Sequence, residues 1–255
     1  MMNSLTLMPL LNIPDINPGD NLVEIIAQSI NKNDTKINDG DIFVIAQKII
    51  SKSENRYIPL NSVKPSKKAI SISSKVSKSP EFIELVLMES DSVLSTDNDV
   101  LIVEHKLGFI NINAGIDMSN IKDSKNQVLL LPQDPMKSAN FLKNELSIIL
   151  QKDIKIIISD SMTRPHRYGI TGFAIGSSGI NCLIDKKGTL DMFGNDLLTT
   201  EIAAGDELAS AASIIMGQGD ARKPIILIKG YKESHDHSQG ANKLGIRKKD
   251  DLYRY

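Results

Sequence analysis

Ser159-Asp160-Ser161-Met162-Thr163-Arg164-Pro165-His166-Arg167 follows an aliphatic run and carries a carboxylate with a hydroxyl beside it, plus two arginines three residues apart. A carboxylate and a hydroxyl can hold magnesium or manganese, and guanidinium forks grip phosphate or carboxylate oxygens. Lysine is abundant here but arginine is scarce, only six in all. Two of them in one segment point to a planar fork rather than bare charge. The bland alternative is a solvated loop whose Arg–Asp pair contributes little. His166 reads as a packing or hydrogen-bonding residue.

Three more segments carry polar groups just beyond apolar elements. Met216-Gly217-Gln218-Gly219-Asp220-Ala221-Arg222-Lys223 offers two glycines, an amide, a carboxylate and two cations, which would wrap a polyphosphate. It equally suits a helix C-cap and turn. Lys48 and Lys52 are four apart and would share a helix face toward an anion, or toward water. Asn113 to Asn120 supplies small residues, two amides and Asp117, groups that suit a hard cation or a nucleotide. Composition alone favours a plain Asx-rich turn there.

Other groups point away from familiar chemistries. No Walker phosphate loop, dinucleotide fingerprint or G-x-S-x-G elbow is present. Gly169, Gly172, Gly176 and Gly179 are spaced for tight turns or close strand packing. His235-Asp236-His237 lies in a polar stretch and reads as solvated, and Cys182 as a small buried residue.

These segments need strands and helices to bring them together. The 255 residues suffice for one large domain or two small lobes sharing a core. Apolar residues make up 41% and charged residues 24%, a globular balance. Thirty basic against 31 acidic residues leave no field to hold a polyanion, so nucleic acid is a poor partner. A single cysteine excludes an internal disulfide and a cysteine zinc cage, and fits a reducing cytoplasm. No apolar run is long enough for a membrane span, and Met1 to Leu11 does not read as a signal peptide.

Apolar spacing predicts a helix after Pro18-Gly19-Asp20, strands at 41–46, 100–103, 109–112, 127–131, 154–159 and 225–228, and helices from Pro65, from Pro80, up to Leu150 and over 198–216. The strand at 127–131, the helix to Leu150 and the strand at 154–159 are expected to form a right-handed parallel crossover. Residues 232–251 are expected to be a surface tail or flap. The fold class is mixed α/β (α+β), with no linker dividing residues 1–255.

In order along the chain, several stretches resemble the coenzyme F-420-0:L-glutamate ligase (F-420 gamma-glutamyl ligase) family. Asn12-Ile13-Pro14 with Pro18-Gly19-Asp20 resembles its G-[IL]-P…GDDL. Asp39 to Glu54 resembles its DGDVLVVAQKIVSKAEGR, Asn113 to Asn120 its NAGVDxSN, and Leu129 to Pro135 its LLLPxDPD. Ser159 to Arg167 resembles its [ST]DTxGRPxR and Met216-Gly217-Gln218 its MG[QE].

The resemblance implies a family-specific fold of two intertwined lobes, a homodimer, and a single unit without the C-terminal flavin-reductase-like domain of some relatives. It implies a cytoplasmic carbon–nitrogen ligase that adds L-glutamate to coenzyme F-420-0 with GTP, through an acyl phosphate, releasing GDP and phosphate. Two magnesium or manganese ions and potassium would assist. By the same resemblance, Asp117 and Asp160 bind the first metal, and Ser161 and Gln218 contribute to the second. The nucleotide lies against Leu11, Asn12, Ile13, Pro14, Gln47, Lys48, Lys52, Asn120 and the loop Met216, Gly217, Gln218, Gly219, Asp220, Ala221, Arg222 and Lys223. Chemistry assigns Arg164 and Arg167 as catalytic groups holding the acceptor or the migrating phosphoryl oxygens. Asn12 replaces a family glycine, which predicts a shifted backbone approach there. The rival readings are a non-catalytic nucleotide-binding module and a metal-dependent phosphohydrolase.

Overall fold

The computed structural model describes residues 4–232, 239–246 and 248–252. In chain order the elements are β1 (Thr6–Pro9), α1 (Leu22–Lys32), β2 (Ile42–Ala46), α2 (Gln47–Ser53), β3 (Tyr57–Pro59), α3 (Lys67–Ser73), α4 (Pro80–Met88), β4 (Ser90–Ser95) and β5 (Ile102–His105). They continue with β6 (Ile110–Ile112), β7 (Gln127–Leu129), α5 (Pro135–Leu150), β8 (Lys155–Arg164), β9 (Arg167–Ser178), β10 (Ile184–Asp185), β11 (Glu201–Ile202), α6 (Ala204–Met216) and β12 (Ile225–Lys229). No helix among the described residues is long and apolar enough to cross a membrane.

Uninterrupted aliphatic runs build the main sheet, ordered β1-β12-β2-β8-β9. A run without polar alternation belongs to a strand covered on both faces. One face sets Phe43, Ile45, Ile156, Ile158, Ile225 and Leu227 against α1 and α5, through Ile26, Ile30, Leu142 and Leu146. The other sets Ile42, Val44, Ile157, Ile226 and Ile228 against Leu208, Ala209 and Ala212 of α6. Small residues bring the helices close. A Cβ at Gly172 would lie 2.4 Å from the Ala209 carbonyl oxygen, and one at Gly176 would lie 2.4 Å from that of Pro135. The close-packing reading of these glycines holds.

A second core forms between α2 and α5. Ala69, Ile72, Phe82, Ile83, Val86, Leu101, Val103, Ala114, Val128 and Leu130 pack together beneath α3, α4 and the β4-β5-β6 sheet. The smaller lobe is therefore one insertion into the larger. Its helices start as their sequences dictate. Ser66 and Ser79 accept from the backbone N–H groups of Ala69 and Phe82, and Pro80 opens α4 where no N–H is needed.

The expected parallel crossover does not form. β7 pairs antiparallel with β3, while the parallel partner of β8 is β2. The edges of β7 are both engaged. Leu130 N–H donates to the Arg56 carbonyl, and Leu129 exchanges two backbone bonds with Asp117 at 2.8 and 3.0 Å. Nothing of β7 is left to pair with β8. Two further expectations change. The helix expected over 198–216 begins at Ala204, because Glu201–Ile202 pairs with β10. Part of the expected surface tail is packed, with Ala241 buried and its N–H donating to Ser177 Oγ. His235-Asp236-His237 lies outside the described residues. Cys182 is fully buried, as expected.

His105, at the end of β5, is buried and stacked on Phe109. Its Nδ1 accepts from Leu107 N–H, which leaves the proton on Nε2, where it has no partner. Burial, with the Arg56 and Lys106 cations against the opposing pull of Asp91, pushes its pKa down to about 4. The unfolded chain protonates near 6.5, so stability is lost as pH falls from there to about 4, by about 3 kcal/mol. Urea unfolding is expected to show this loss in the native protein and to lack it in His105→Gln.

Candidate active site

The pairing of β2 with β8 sets the site. The register runs from Ile42↔Lys155 to Ala46↔Ser159, so the two strands end together. Helix α2 starts at the very next residue, Gln47, while β8 continues into Ser159, Asp160 and Ser161. Gln47, Lys48 and Asp160 thus share the carboxyl end of a parallel pair, where ligands gather in α/β sheets. The insertion supplies Asp117, whose backbone is held by the two bonds to Leu129.

The side chains interlock. Gln47 Nε2 donates to Asp117 Oδ2 at 2.7 Å, and its amide is close enough to Asp160 to favour that carboxylate's charged form. Lys48 Nζ lies 3.0 Å from Asp117 Oδ1 and donates to the Ser119 carbonyl at 2.9 Å. Burial and the neighbouring Asp117 charge push the Asp160 pKa up to about 7, against the pull of the Ser161 N–H, Lys48 and Gln47. Two like charges facing one cleft are what a divalent cation relieves. Lys52, one turn beyond Lys48, makes no ion pair among the described residues; burial and the Lys48 charge lower its pKa. It is poised for an anion brought from outside.

These groups line a cleft of about 870 Å³, ample for a nucleotide or similar ligand. Four separate stretches meet there. Asn120 Nδ2 donates to the Gly219 carbonyl at 3.1 Å, closing the 113–120 segment onto the loop after α6. Lys122 Nζ donates to Asn17 Oδ1, closing it onto the N-terminal stretch. Gln218 is tied to Ser213 by a 3.0 Å bond from its Nε2. Five cationic side chains face four acids across the lining: Lys48, Lys52, Lys122, Arg222 and Lys223 against Asp15, Asp117, Asp160 and Asp220.

Most of the residues expected from sequence converge. Asp117, Asp160, Ser161 and Gln218 all line the cleft, as do Ile13, Pro14, Gln47, Lys48, Lys52, Asn120, Met216, Gly217, Gly219, Asp220, Arg222 and Lys223. Leu11, Asn12 and Ala221 do not. The Leu11 carbonyl accepts from Ser29 Oγ at 2.6 Å. Asn12 takes a left-handed φ of 60° and donates to Asn33 Oδ1 at 2.9 Å. The asparagine thus adopts the conformation a glycine would, with its side chain turned to α1.

Arg164 and Arg167 also stand apart. The segment expected as a loop is the polar extension of β8, and the two arginines pair across the tip of the β8–β9 hairpin. Pro165 followed by His166 at φ 59° makes a turn of the type II pattern. Arg164, His166 and Arg167 are exposed and outside the cleft lining, so His166 does not pack. Sequence reasoning missed Asp15, Asn17, Asn55, Tyr57, Lys122, Gln127 and Ile170 in the lining. Asp15 and Asn17 lie between two recognisable motif fragments, which was the one available signal.

The turn before Asp117 is strained. Asn113, Ala114 and Gly115 are consecutive left-handed residues with φ of 52°, 54° and 64°. Such runs are costly for L-residues and collect at functional sites. A Cβ on Gly115 would come 3.3 Å from Asp160 Oδ2 and 3.0 Å from Leu131 Cδ1. Gly115→Ala is expected to lower stability by about 1–2 kcal/mol and to cut turnover more than tenfold. Urea unfolding alongside steady-state rates checks both.

Comparison with known proteins identifies the family. A family model described as F420-0:Gamma-glutamyl ligase matches residues 10–230. A protein of Methanothermobacter thermautotrophicus named coenzyme F420:L-glutamate ligase is 37% identical over 251 residues, covering 98% of this chain and 99% of its own. Its namesake in Methanocaldococcus jannaschii is 39% identical over 96% of this chain and 95% of its own, and that of Archaeoglobus fulgidus 36% identical over 90% and 89%. The match begins at Leu10 and ends at Gly230, so every cleft-lining segment lies within it. With four of the five main-sheet strands, the insertion and the converging loops inside that span, the chain belongs to the F420-0:gamma-glutamyl ligase family.

Proposed function

We propose that this protein joins L-glutamate to coenzyme F420-0, driven by GTP. The observation that carries the reading is the meeting of Asp117 and Asp160 in one cleft with Lys48, Lys52 and the loop after α6, inside a family match covering most of the chain. A carboxylate does not condense usefully with an amine in water, because its oxygen is a poor leaving group. In the proposed sequence the acceptor carboxylate attacks the γ-phosphorus, and the bond to the β–γ bridging oxygen breaks. GDP leaves and an acyl phosphate remains. The glutamate amine then attacks the acyl carbon, the carbon–oxygen bond to phosphate breaks, and the amine proton passes to solvent or phosphate.

Such transfer needs positioning and charge neutralisation above all. Lys52 and the cations of the 216–223 loop hold phosphate oxygens, and Lys48 fixes the 113–120 wall through Asp117 and Ser119. The donor set of Asp117, Asp160, Ser161 and Gln218 consists of hard oxygen atoms, which suits magnesium or manganese. No group of three or more acidic, histidine or cysteine side chains capable of holding a metal occurs among the described residues. Two divalent cations would supply neutralisation of the phosphate charge there. Potassium activation, addition of more than one glutamate and a homodimer belong to the same reading. Tyr168 and Ile170 at the hairpin tip, with Met192 and Phe193, expose apolar surface of the kind a second copy covers.

The test is incubation with F420-0, L-glutamate, GTP and Mn2+, followed by mass spectrometry of the acceptor. Glutamylated product that requires GTP is expected. Phosphate release independent of glutamate and acceptor, with no glutamylated product, would refute the reading.

A further inference from the structure

Gln47 is almost wholly buried, yet its amide meets the Asp117 carboxylate at 2.7 Å, with Asp160 beside that acid in the cleft. An amide's shape does not decide which end faces them. With Oε1 turned to Asp117 at 2.7 Å, two acceptors would repel each other. That repulsion sets the orientation, and the group that satisfies the outward oxygen lies one helical turn further on. Ser51 is fully buried on the same face of α2 and donates its hydroxyl to Gln47 Oε1 at 2.9 Å. With that oxygen held, the amide hydrogens turn to the acids. Ser51 itself does not line the cleft.

We propose that Ser51 is a positioning residue for the divalent-cation site: its hydroxyl fixes the Gln47 amide, and the amide holds Asp117 and Asp160 as one pair. Without the hydroxyl, Oε1 is a buried acceptor lacking a donor, a costly state. The amide relieves it by turning over or moving away, and either motion releases the acids. The proposal rests on reading the Asp117–Asp160 pair as a cation site, so its test separates the two.

The test measures Mn2+ binding to the full-length protein without nucleotide, from the electron paramagnetic resonance signal of free Mn2+, at a temperature where every variant is folded. Asp160→Asn reports on the cation site and Ser51→Ala on the positioning. Asp160→Asn is expected to lose tight Mn2+ binding. Ser51→Ala is expected to weaken it roughly tenfold, the low end for outer partners of metal ligands. Ser51→Cys keeps the volume with a poor donor; it is expected to behave alike, and it serves if the alanine variant does not fold. A Ser51 with only a packing role would lower the melting temperature and leave Mn2+ affinity unchanged. If Asp160→Asn loses Mn2+ while the Ser51 variants bind within about twofold of the native protein, the positioning role is wrong and the cation site stands. If the native protein binds Mn2+ no better than Asp160→Asn, the cation reading fails and the proposal with it.

Discussion

Asp160→Asn is expected to abolish glutamate coupling and, at the same time, to make the metal-free protein more stable above neutral pH. The two effects share one cause. Asp160 sits in a partly buried position beside Asp117, and its folded-state pKa is pushed up from 3.8 to about 7. The unfolded chain ionises near 3.8 while the folded chain resists until about 7. Stability is therefore lost as pH rises through that window, and it stays lost above it. Fully converted at about 1.4 kcal/mol per unit, the shift would cost about 4 kcal/mol; water in the open cleft screens it to about 2 kcal/mol. Asparagine keeps the shape and drops the charge. Urea unfolding in a chelator is expected to place the variant level with the native protein near pH 4 and about 2 kcal/mol above it near pH 8. Its coupling rate is expected to fall by at least about a thousandfold, since the lost carboxylate is one of the two acids of the proposed cation site. A variant less stable than native near pH 8, or one that couples at native rate, would sink the argument.

The trade between stability and chemistry was half visible in the sequence. The strands at 42–46, 155–158 and 225–229 were legible because aliphatic runs without alternation have one structural meaning, burial on both faces. Asp160 was legible as chemistry because a carboxylate and hydroxyls follow such a run. What could not be read was pairing. Ser159 to Arg164 is polar and carries a proline just beyond it, so it reads as a loop; it is a strand because β9 lies alongside and supplies the hydrogen bonds. β9 itself is masked in the sequence by its glycines: Gly172 and Gly176 admit α6 and α5, and Gly169 takes a left-handed φ of 87° in open space. The parallel partner of β8 is not its neighbour in sequence: β2 lies on the far side of the insertion, more distant along the chain than β7. The same pairing places the arginines: at the tip of a long hairpin both forks lie outside this chain's cleft. Ser51 offered no signal, since a buried serine in a helix becomes meaningful only when Gln47 and Asp117 are seen next to it.

Lys48 should be the second most sensitive position, and its pH signature separates it from Lys52. Its ammonium group does two things at once. It neutralises Asp117 at 3.0 Å, and through the Ser119 carbonyl it fastens the segment that carries Asn120 to the cleft. Lys48→Met removes both, and turnover is expected to fall roughly a hundred- to a thousandfold, the range for losing one preorganised electrostatic contact. The methionine also withdraws a cation that lowers the Asp160 pKa. Asp160 then binds its proton more tightly, so the acidic limb of kcat/KM moves to higher pH. The leading influences on the Asp160 pKa include Lys48 and do not include Lys52. Lys52→Met is therefore expected to raise the KM for GTP and leave that limb in place, because what it loses is an unpaired cation facing the ligand. Rate–pH profiles of the two variants decide the matter. A limb that shifts in Lys52→Met, or stays fixed in Lys48→Met, would mean that Asp160 does not control the acidic side of the reaction, and that the charge network joining the two lobes had been assigned to the wrong lysine.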